Sequence, residues 1–225
     1  MIGPDPCLEA LRVLGHELRR PLTVLRGAAT LLIDDGGALP EAGRRQMLTL
    51  IDRGASEMAD LIDDLLTAVH LEQRDIEYRS ERIPLAGLVQ EAVHAALRLD
   101  PERAIAVSGV AGFEVVADPE QAARALRAVV VNAVQHSPAA APVEVVAATE
   151  ADVVRVEVRD RGPGIPADRR ERAFEKFARL EGTAAGAGLG LFLARGLARA
   201  MGGDVELSGR EDGGTVVCFT LRRRG

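Results

Sequence analysis

The sequence predicts an α-helical hairpin that forms a four-helix bundle in a dimer, followed by an α+β two-layer sandwich. Two patterns indicate this fold: a seven-residue apolar repeat in the first third of the 225-residue chain, and an alternation of short helices and aliphatic strands after it. Aromatic residues make up 3% of the chain, so the core must be built from Leu, Val, Ile and Ala. The length allows two modest domains, which we place at residues 1–75 and 76–225.

The repeat predicts two long helices, over residues 8–32 and 41–72, joined by a turn at residues 34–40. One hairpin cannot bury both of its apolar stripes alone, so we expect a homodimer. Pro21 lacks the amide that an unbroken helix needs at that point, which predicts a bend in the first helix.

Residues 73–82 are polar and lack the repeat, which is typical of a linker. After it, alternating patterns predict three helices and six strands. The helices are expected at residues 85–98, 119–135 and 190–201, and the strands at 104–107, 113–116, 143–149, 153–159, 204–208 and 215–221. Asp118 is the expected N-cap of the second of these helices. We expect antiparallel strands with the helices on one face of the sheet.

Composition excludes several classes of protein. The net charge is −6 and the arginines are interspersed with acidic residues, so a nucleic-acid surface is not expected. Cys7 and Cys218 lie far apart, which is typical of a reduced chain without a disulfide framework or zinc site. No apolar run is long enough to span a membrane and no signal peptide is recognisable, so we expect a cytoplasmic chain that makes no membrane contact itself.

His16 follows a seam position of the first helix, so its ring should reach solvent. An imidazole on a rigid helix but open to water can act as a nucleophile, and Glu17 beside it can fix the tautomer and accept a proton. Taken by itself, however, His16 is better explained as an ordinary surface histidine on the flank of a coiled coil.

Four stretches of the second half could form a nucleotide site, although each is weak alone. They are Asn132 to Ser137 at a helix end, Asp160-Arg161-Gly162-Pro163-Gly164 after a strand, Phe174 to Phe177, and Gly186 to Leu191 at a helix start. Glycine amides at a helix N-terminus bind anions, but the pattern is neither a P-loop nor a Rossmann fingerprint. The amide oxygen of Asn132 suits Mg²⁺, and the Asp160 carboxylate can accept a hydrogen bond from an exocyclic amine such as adenine N6.

In this order, the His-Glu-x-x-x-Pro helix and the four later motifs resemble the sensor histidine kinases of two-component systems over nearly the whole chain. The resemblance implies a dimerisation and phosphotransfer hairpin, followed by an ATP-binding domain of the Bergerat (GHKL) type. It implies that His16 is phosphorylated by ATP, that Glu17 activates it, and that the phosphoryl group passes to an aspartate of a response-regulator receiver domain.

The resemblance also implies the nucleotide-binding residues. Asn132 would bind Mg²⁺ and the triphosphate, Asp160 would read adenine, and the glycines would shape the base pocket and the phosphate-binding helix start. The full set is Asn132, His136, Asp160, Gly162, Gly164, Lys176, Gly186, Gly188, Leu189 and Gly190. His136 is compatible either with nucleotide contact or with capping of its helix.

Arg20 departs from the family, which usually carries Thr or Asn four residues after the phosphoacceptor to position a hydrolytic water. Arg cannot accept a hydrogen bond from water, so we expect weak phosphatase activity. This expectation would be contradicted if the protein dephosphorylated its partner regulator at a rate well above the rate at which the regulator loses phosphate by itself. The alternative is that Arg20 only adds charge near the regulator's acidic pocket.

Ala128 replaces an Asn found in many members, and Gln135 replaces a phosphate-contacting Lys. Arg161, Arg179 or Lys176 are candidates to supply the missing charge, and residues 178–185 predict a short lid rich in Ala and Gly. Because of these departures, a catalytically weakened signalling scaffold of the same fold is the alternative function. A serine kinase or a conformational ATPase is a third interpretation, but neither would explain His16. Little precedes the first helix, so the sequence is expected to lack a sensor domain. We expect either that the sequence is the excised core of a membrane-tethered protein, or that the protein receives its signal from a separate sensory subunit.

Overall fold

The computed structural model of the protein describes residues 6–35, 37–75, 78–178, 186–210 and 212–223. The chain divides into two compact units, Met1–Thr67 and Ala68–Gly225. Among the described residues, no helix combines the length and the apolar character needed to cross a membrane.

The first unit is built from two long helices, α1 (Pro6–Asp35) and α2 (Glu41–Gln73), of which the last turns of α2 belong to the second unit. The helices approach closely where Gly54 faces Pro21: a Cβ atom added to Gly54 would lie 3.2 Å from the Pro21 carbonyl oxygen. Helix α1 continues through Pro21 without a break. The hairpin predicted from the seven-residue repeat is therefore confirmed, and the bend at Pro21 stays a prediction.

Many large apolar side chains of the hairpin are exposed in the single chain. Those of the first unit with at least 45% exposure are Leu8, Leu11, Leu22, Val24, Leu31, Ile33, Leu48, Ile62 and Leu66. Such a density of exposed Leu and Ile is unusual for a surface that faces only water.

The second unit alternates short helices and strands. In chain order these are β1 (Glu81–Pro84), α3 (Leu85–Leu99), β2 (Ile105–Ser108), β3 (Glu114–Ala117), α4 (Pro119–His136), β4 (Val143–Glu150), β5 (Val153–Arg159), α5 (Gly190–Ala200), β6 (Asp204–Gly209) and β7 (Thr215–Arg222). Two single-turn 3₁₀ helices, Ala167–Arg169 and Arg172–Phe174, lie between β5 and α5. Strand β1 was not predicted, because its first two residues belong to the polar stretch at 73–82 that is typical of a linker.

Five strands form the main sheet in the order β2-β4-β5-β7-β6, and β1 pairs with β3 in a separate two-stranded sheet. The pairs β4–β5, β5–β7 and β6–β7 are antiparallel as expected, but β2 and β4 are parallel. The expectation of an antiparallel sheet was wrong for this pair, because the connection from β2 to β4 contains β3 and α4 and is long enough for a crossover.

The core of this unit lies between the helices and one face of the main sheet. Strand β5 shows the pattern clearly: Val154, Val156 and Val158 are fully buried while the residues between them are half-buried. Helix α4 packs between α3 and α5 and is buried along one face by Ala, Leu and Val. The two-layer sandwich predicted from the sequence is confirmed, with an aliphatic core in which Phe219 is the largest fully buried side chain.

Asp118 secures the start of α4, as predicted. Its Oδ1 atom accepts the Gln121 amide at 3.0 Å, and Oδ2 accepts the amide of Arg79 at 2.8 Å, so one carboxylate holds both the helix and the chain leading into β1. We expect Asp118→Ala to lower the free energy of unfolding by about 1–2 kcal/mol, because two amides lose their acceptor. Urea unfolding measures the loss. Asp118→Asn is the matched control, since its one amide oxygen can still cap the helix while the Arg79 amide loses its acceptor, so it should lose less stability than Asp118→Ala. Equal losses in the two variants would contradict the assignment of Asp118 as the cap of α4.

Candidate functional site

His16 lies on α1 with 76% of its side chain exposed, as predicted from its position beside the apolar seam. Its Nδ1 atom is 3.9 Å from Oε1 of Glu17, whose side chain is only 12% exposed. This distance is an ion-pair approach and not a hydrogen bond. The arrangement turns Nδ1 toward the carboxylate, so Nε2 is the ring nitrogen open to a reactant. Arg20 is exposed one turn further along the helix.

Asp160 is the most deeply buried acidic side chain among the described residues, with 3% exposure. It lies directly after β5, and its Oδ1 atom accepts two backbone amides, from Gly162 at 2.7 Å and from Thr215 at 3.1 Å. No hydrogen bond from the described residues reaches the other carboxylate oxygen, Oδ2. One oxygen therefore fixes the orientation of the carboxylate, and the second is available to a ligand.

Two glycines allow the chain to pass close to Asp160. A Cβ atom at Gly162 would lie 2.6 Å from the carbonyl oxygen of His136, and one at Gly214 would lie 2.2 Å from the carbonyl oxygen of Asp160. Gly164 has a φ of +75° and faces Gly214, with 3.1 Å between its added Cβ and the Gly214 oxygen. Three segments that are distant in sequence thus meet at this carboxylate: the end of α4, the loop after β5 and the turn before β7.

One face of α4 connects this carboxylate to the start of α5. Ala128, Asn132 and His136 are spaced four residues apart, so they share a face and extend over about 12 Å of the helix. His136 adjoins the loop of Asp160, and Ala128 adjoins Gly190, with 3.8 Å between an added Gly190 Cβ and the Ala128 carbonyl oxygen. Half-buried Asn132 lies between them, and its side-chain amide makes no hydrogen bond to the described residues.

The glycine-rich segment from Gly186 opens α5, as predicted. Gly186 and Gly188 have φ values of +92° and +71°, and a Cβ at Gly188 would lie 2.7 Å from the carbonyl oxygen of Ala178. Leu189 is buried and precedes the first residue of α5, Gly190. The first amides of a helix lack intrahelical acceptors and carry partial positive charge, so this end of the site is suited to an anion.

The Phe motif packs against α5. Phe174 is 8% exposed, and the guanidinium of Arg195 lies 4.2 Å from the centre of its ring. Arg195 also donates to Glu171 at 2.8 Å. The motif therefore anchors the chain that leads to the expected lid, and residues 179–185 of that lid lie outside the described residues.

Two of the three candidates to supply charge in place of Gln135 lie close to acidic side chains. Lys176 pairs with Glu72, and Arg161 has its guanidinium 3.9 Å from Glu144. Arg179 lies outside the described residues. Gln135 itself is exposed, with Oε1 3.9 Å from the position of an added Gly186 Cβ. Nucleotide binding by Lys176 stays a prediction.

The turn before β7 also contributes to the site, which none of the sequence motifs indicated. Gly214 and Thr215 contact Asp160 through the backbone, and Ser137 accepts the Arg161 amide on its Oγ atom at 3.2 Å. The signal that could have identified this turn is the pair Gly213-Gly214, since two adjacent glycines before a strand indicate a backbone with positive φ.

His136 should make the stability of the chain depend on pH. Burial lowers the pKa of His136 below 6.5, and the opposing effect of the Asp160 charge, which raises the pKa, is smaller. The unfolded chain therefore takes up this proton at a higher pH than the folded chain. The stabilisation is complete above the unfolded pKa, and is lost as the pH falls from there through the folded pKa.

Urea unfolding as a function of pH tests this expectation. Between about pH 7.5 and about pH 5.5 the chain should lose more stability than a His136→Gln variant does. Comparison with the variant removes the contribution of other groups that titrate over the same range. Equal losses in the two proteins would show that His136 takes up its proton at the same pH when folded as when unfolded.

Both halves of the chain match models of known protein families. Residues 8–74 match the family model of the His Kinase A (phospho-acceptor) domain, and residues 117–225 match the histidine kinase-, DNA gyrase B-, and HSP90-like ATPase. Sensor protein QseC of Escherichia coli O157:H7 is 33% identical over 207 residues, which are 88% of this chain and 44% of QseC. The two models match in the order that the motifs predicted.

Solved structures resemble the fold. The crystal structure of full-length ShkA in complex with AMPPNP is similar with a TM-score of 0.64 and 31% identity, over 96% of this chain and 46% of that chain. The Acinetobacter baumannii histidine kinase AdeS is similar with a TM-score of 0.62 and 21% identity, over 93% of this chain and 98% of its own. The chain spans less than half the length of QseC and of ShkA.

Proposed function

The chain belongs to the sensor histidine kinases, and we propose that it transfers the γ-phosphoryl group of ATP to His16 and then to an aspartate of a response-regulator receiver domain. The observation that carries this proposal is the exposed imidazole of His16 beside Glu17, in the segment that matches the phospho-acceptor model.

ATP is the nucleotide that the second unit supports best. The free Oδ2 of Asp160 is an acceptor for the exocyclic amine of adenine, and the start of α5 provides amides for the phosphates. The α4 face with Asn132 lies between these two ends. ShkA, which shares 31% identity with this chain, was solved with the ATP analogue AMPPNP.

The residues of the site also fit Mg²⁺ carried by the nucleotide. The amide oxygen of Asn132 is a hard ligand without a hydrogen-bond partner among the described residues. No group of His, Cys, Asp or Glu side chains in the described part of the chain could hold a metal alone, so the phosphates would supply the other ligands. When bound, the ion would neutralise phosphate charge. Asn132 would orient it.

The proposed transfer needs one ring nitrogen as nucleophile and the other as a proton carrier. Nε2 of neutral His16 forms a bond to the γ-phosphorus while the bond from that phosphorus to the bridging oxygen breaks, and ADP leaves with the electron pair. The proton stays on Nδ1, where the nearby Glu17 carboxylate stabilises the resulting positive charge. The regulator's aspartate then attacks the phosphorus, and the N–P bond breaks to restore neutral imidazole.

A second copy of the chain is the proposed partner of the hairpin. The exposed Leu and Ile side chains of α1 and α2 would be covered in a four-helix bundle. Sedimentation equilibrium distinguishes a dimer from a monomer, and a monomer at micromolar concentration would contradict the proposal.

Labelling with γ-³²P-ATP and Mg²⁺ tests the function. The chain should acquire label that is acid-labile and alkali-stable, as a phosphoramidate is, and His16→Gln should acquire none. His70→Gln is the matched control, because His70 is also an exposed histidine on a helix of the hairpin. Label that survives in His16→Gln would contradict the assignment of His16.

The alternative function is a scaffold of the same fold that binds partners or nucleotide without efficient phosphorylation. The departures that favour it are Ala128, which lacks the amide of the Asn found in many members, and Gln135, which lacks the positive charge of the usual Lys. ATP binding by an intact dimer without any labelling would support the scaffold and overturn the kinase.

A further inference from the structure

Arg103 is a buried arginine in the turn between α3 and β2. Its side chain is only 5% exposed, and every one of its five N–H groups has an acceptor. Nε donates to Asp100 at 2.9 Å, and the two terminal nitrogens donate to four backbone carbonyl oxygens. The residue therefore organises backbone, and the single carboxylate it contacts balances its charge.

The four carbonyls belong to one continuous stretch at and after the end of α4. They are those of Val134 at 3.2 Å, Ser137 at 3.4 Å, Pro138 at 2.5 Å and Ala141 at 3.2 Å. The last carbonyls of a helix have no intrahelical donor, and the negative end of the helix dipole favours a cation. Arg103 thus caps α4 and shapes the loop to β4 at the same time.

This loop contacts the adenine end of the proposed site. The Ser137 Oγ atom accepts the Arg161 amide, and the His136 carbonyl oxygen would lie 2.6 Å from a Cβ added to Gly162. The Gly162 amide in turn donates to Oδ1 of Asp160. A chain of direct contacts therefore leads from the Arg103 guanidinium, through the end of α4, to the carboxylate that is proposed to read the base.

We propose that Arg103 is a positioning residue for base recognition. It holds the end of α4, so that the loop of Asp160 and Gly162 has the conformation that binds adenine before the nucleotide arrives. This inference rests on the proposed function. Lysine cannot replace Arg103 in this role, because an ammonium presents three N–H groups from one point and cannot reach four carbonyls spread over eight residues.

Base preference is the readout that separates positioning from general stability. Arg103→Lys should weaken binding of a non-hydrolysable ATP analogue about tenfold and reduce the preference for it over the GTP analogue, because a misplaced Asp160 loses its adenine contact. Binding is measured by calorimetry at a temperature where unfolding curves show the variant folded. Val89→Ala is the matched control, since it opens a cavity beside the buried face of α3 and Val89 makes none of the contacts that lead from Arg103 to Asp160, so it should leave the base preference unchanged.

Ser137→Ala is the second variant. It removes only the side-chain acceptor of the Arg161 amide, so it should reduce the base preference in the same direction without disturbing the core, and it remains informative if Arg103→Lys does not fold. If folded Arg103→Lys keeps its ATP affinity and base preference, the inference is overturned and the proposed function is not. If Arg103→Lys does not fold, the same result in Ser137→Ala overturns the inference. An equal reduction in Val89→Ala also overturns it. Absence of ATP binding by the unsubstituted chain would overturn the proposed function and the inference with it.

Discussion

Asp160→Asn should abolish high-affinity ATP binding while leaving the fold intact. The amide oxygen of asparagine can still accept the amides of Gly162 and Thr215, which use only Oδ1. The asparagine NH₂ group, however, replaces the free Oδ2. It would face the exocyclic NH₂ group of adenine, and two hydrogen-bond donors cannot bond to each other. We expect affinity for ATP to fall about a hundredfold or more, because a buried donor is left unpaired on each side.

Asp160→Ala provides the contrast that separates the two roles of the carboxylate. It removes the acceptor of both amides as well as the ligand contact, so the free energy of unfolding should fall by about 2–4 kcal/mol. Calorimetric titration and urea unfolding of the two variants measure binding and stability separately. If Asp160→Asn binds ATP as tightly as the unsubstituted chain, Asp160 does not read the base.

Gly214→Ala is expected to cause the largest loss of stability. Gly214 has a φ of +102°, and an added Cβ would lie 2.2 Å from the carbonyl oxygen of Asp160. To relieve this contact the turn before β7 must move away from Asp160, which breaks the two hydrogen bonds between Asp160 and Thr215. The cost of positive φ and of two lost bonds together is about 3 kcal/mol or more.

Gly213→Ala is the matched control for this variant. Gly213 also has a positive φ, of +83°, but an added Cβ there meets nothing within 4 Å. Its substitution should therefore cost only the backbone strain, about 1–2 kcal/mol, and leave nucleotide binding intact. Urea unfolding of both variants gives the difference, and equal losses would show that the contact with Asp160 does not restrict this position.

Features encoded by neighbouring residues could be predicted from the sequence. The two helices of the hairpin follow from a repeat whose members are one or two turns apart, and the cap of α4 follows from Asp118 preceding Pro119. The opening of α5 at Gly190 follows from a glycine-rich run. Each of these signals lies within a few residues of the structure that it specifies.

Features that join distant residues could not be predicted in this way. Thr215 contacts Asp160 across 55 positions, and Arg103 contacts Ser137 across 34. The parallel pairing of β2 with β4 likewise depends on how a long connection crosses the sheet, and not on the four residues of β2. A single sequence carries no local pattern for such contacts, since many alternative partners of the same chemical type are present.

The exposed apolar stripe of the hairpin has a consequence for how the protein folds. If a second copy covers it, as proposed, much of the burial that stabilises α1 and α2 becomes available only on association. Unfolding of this unit is then a bimolecular equilibrium, and its midpoint rises with the logarithm of protein concentration. The sandwich, whose core is complete within one chain, should unfold at a midpoint independent of concentration. The fraction of the hairpin that is folded would then increase with the concentration of the chain.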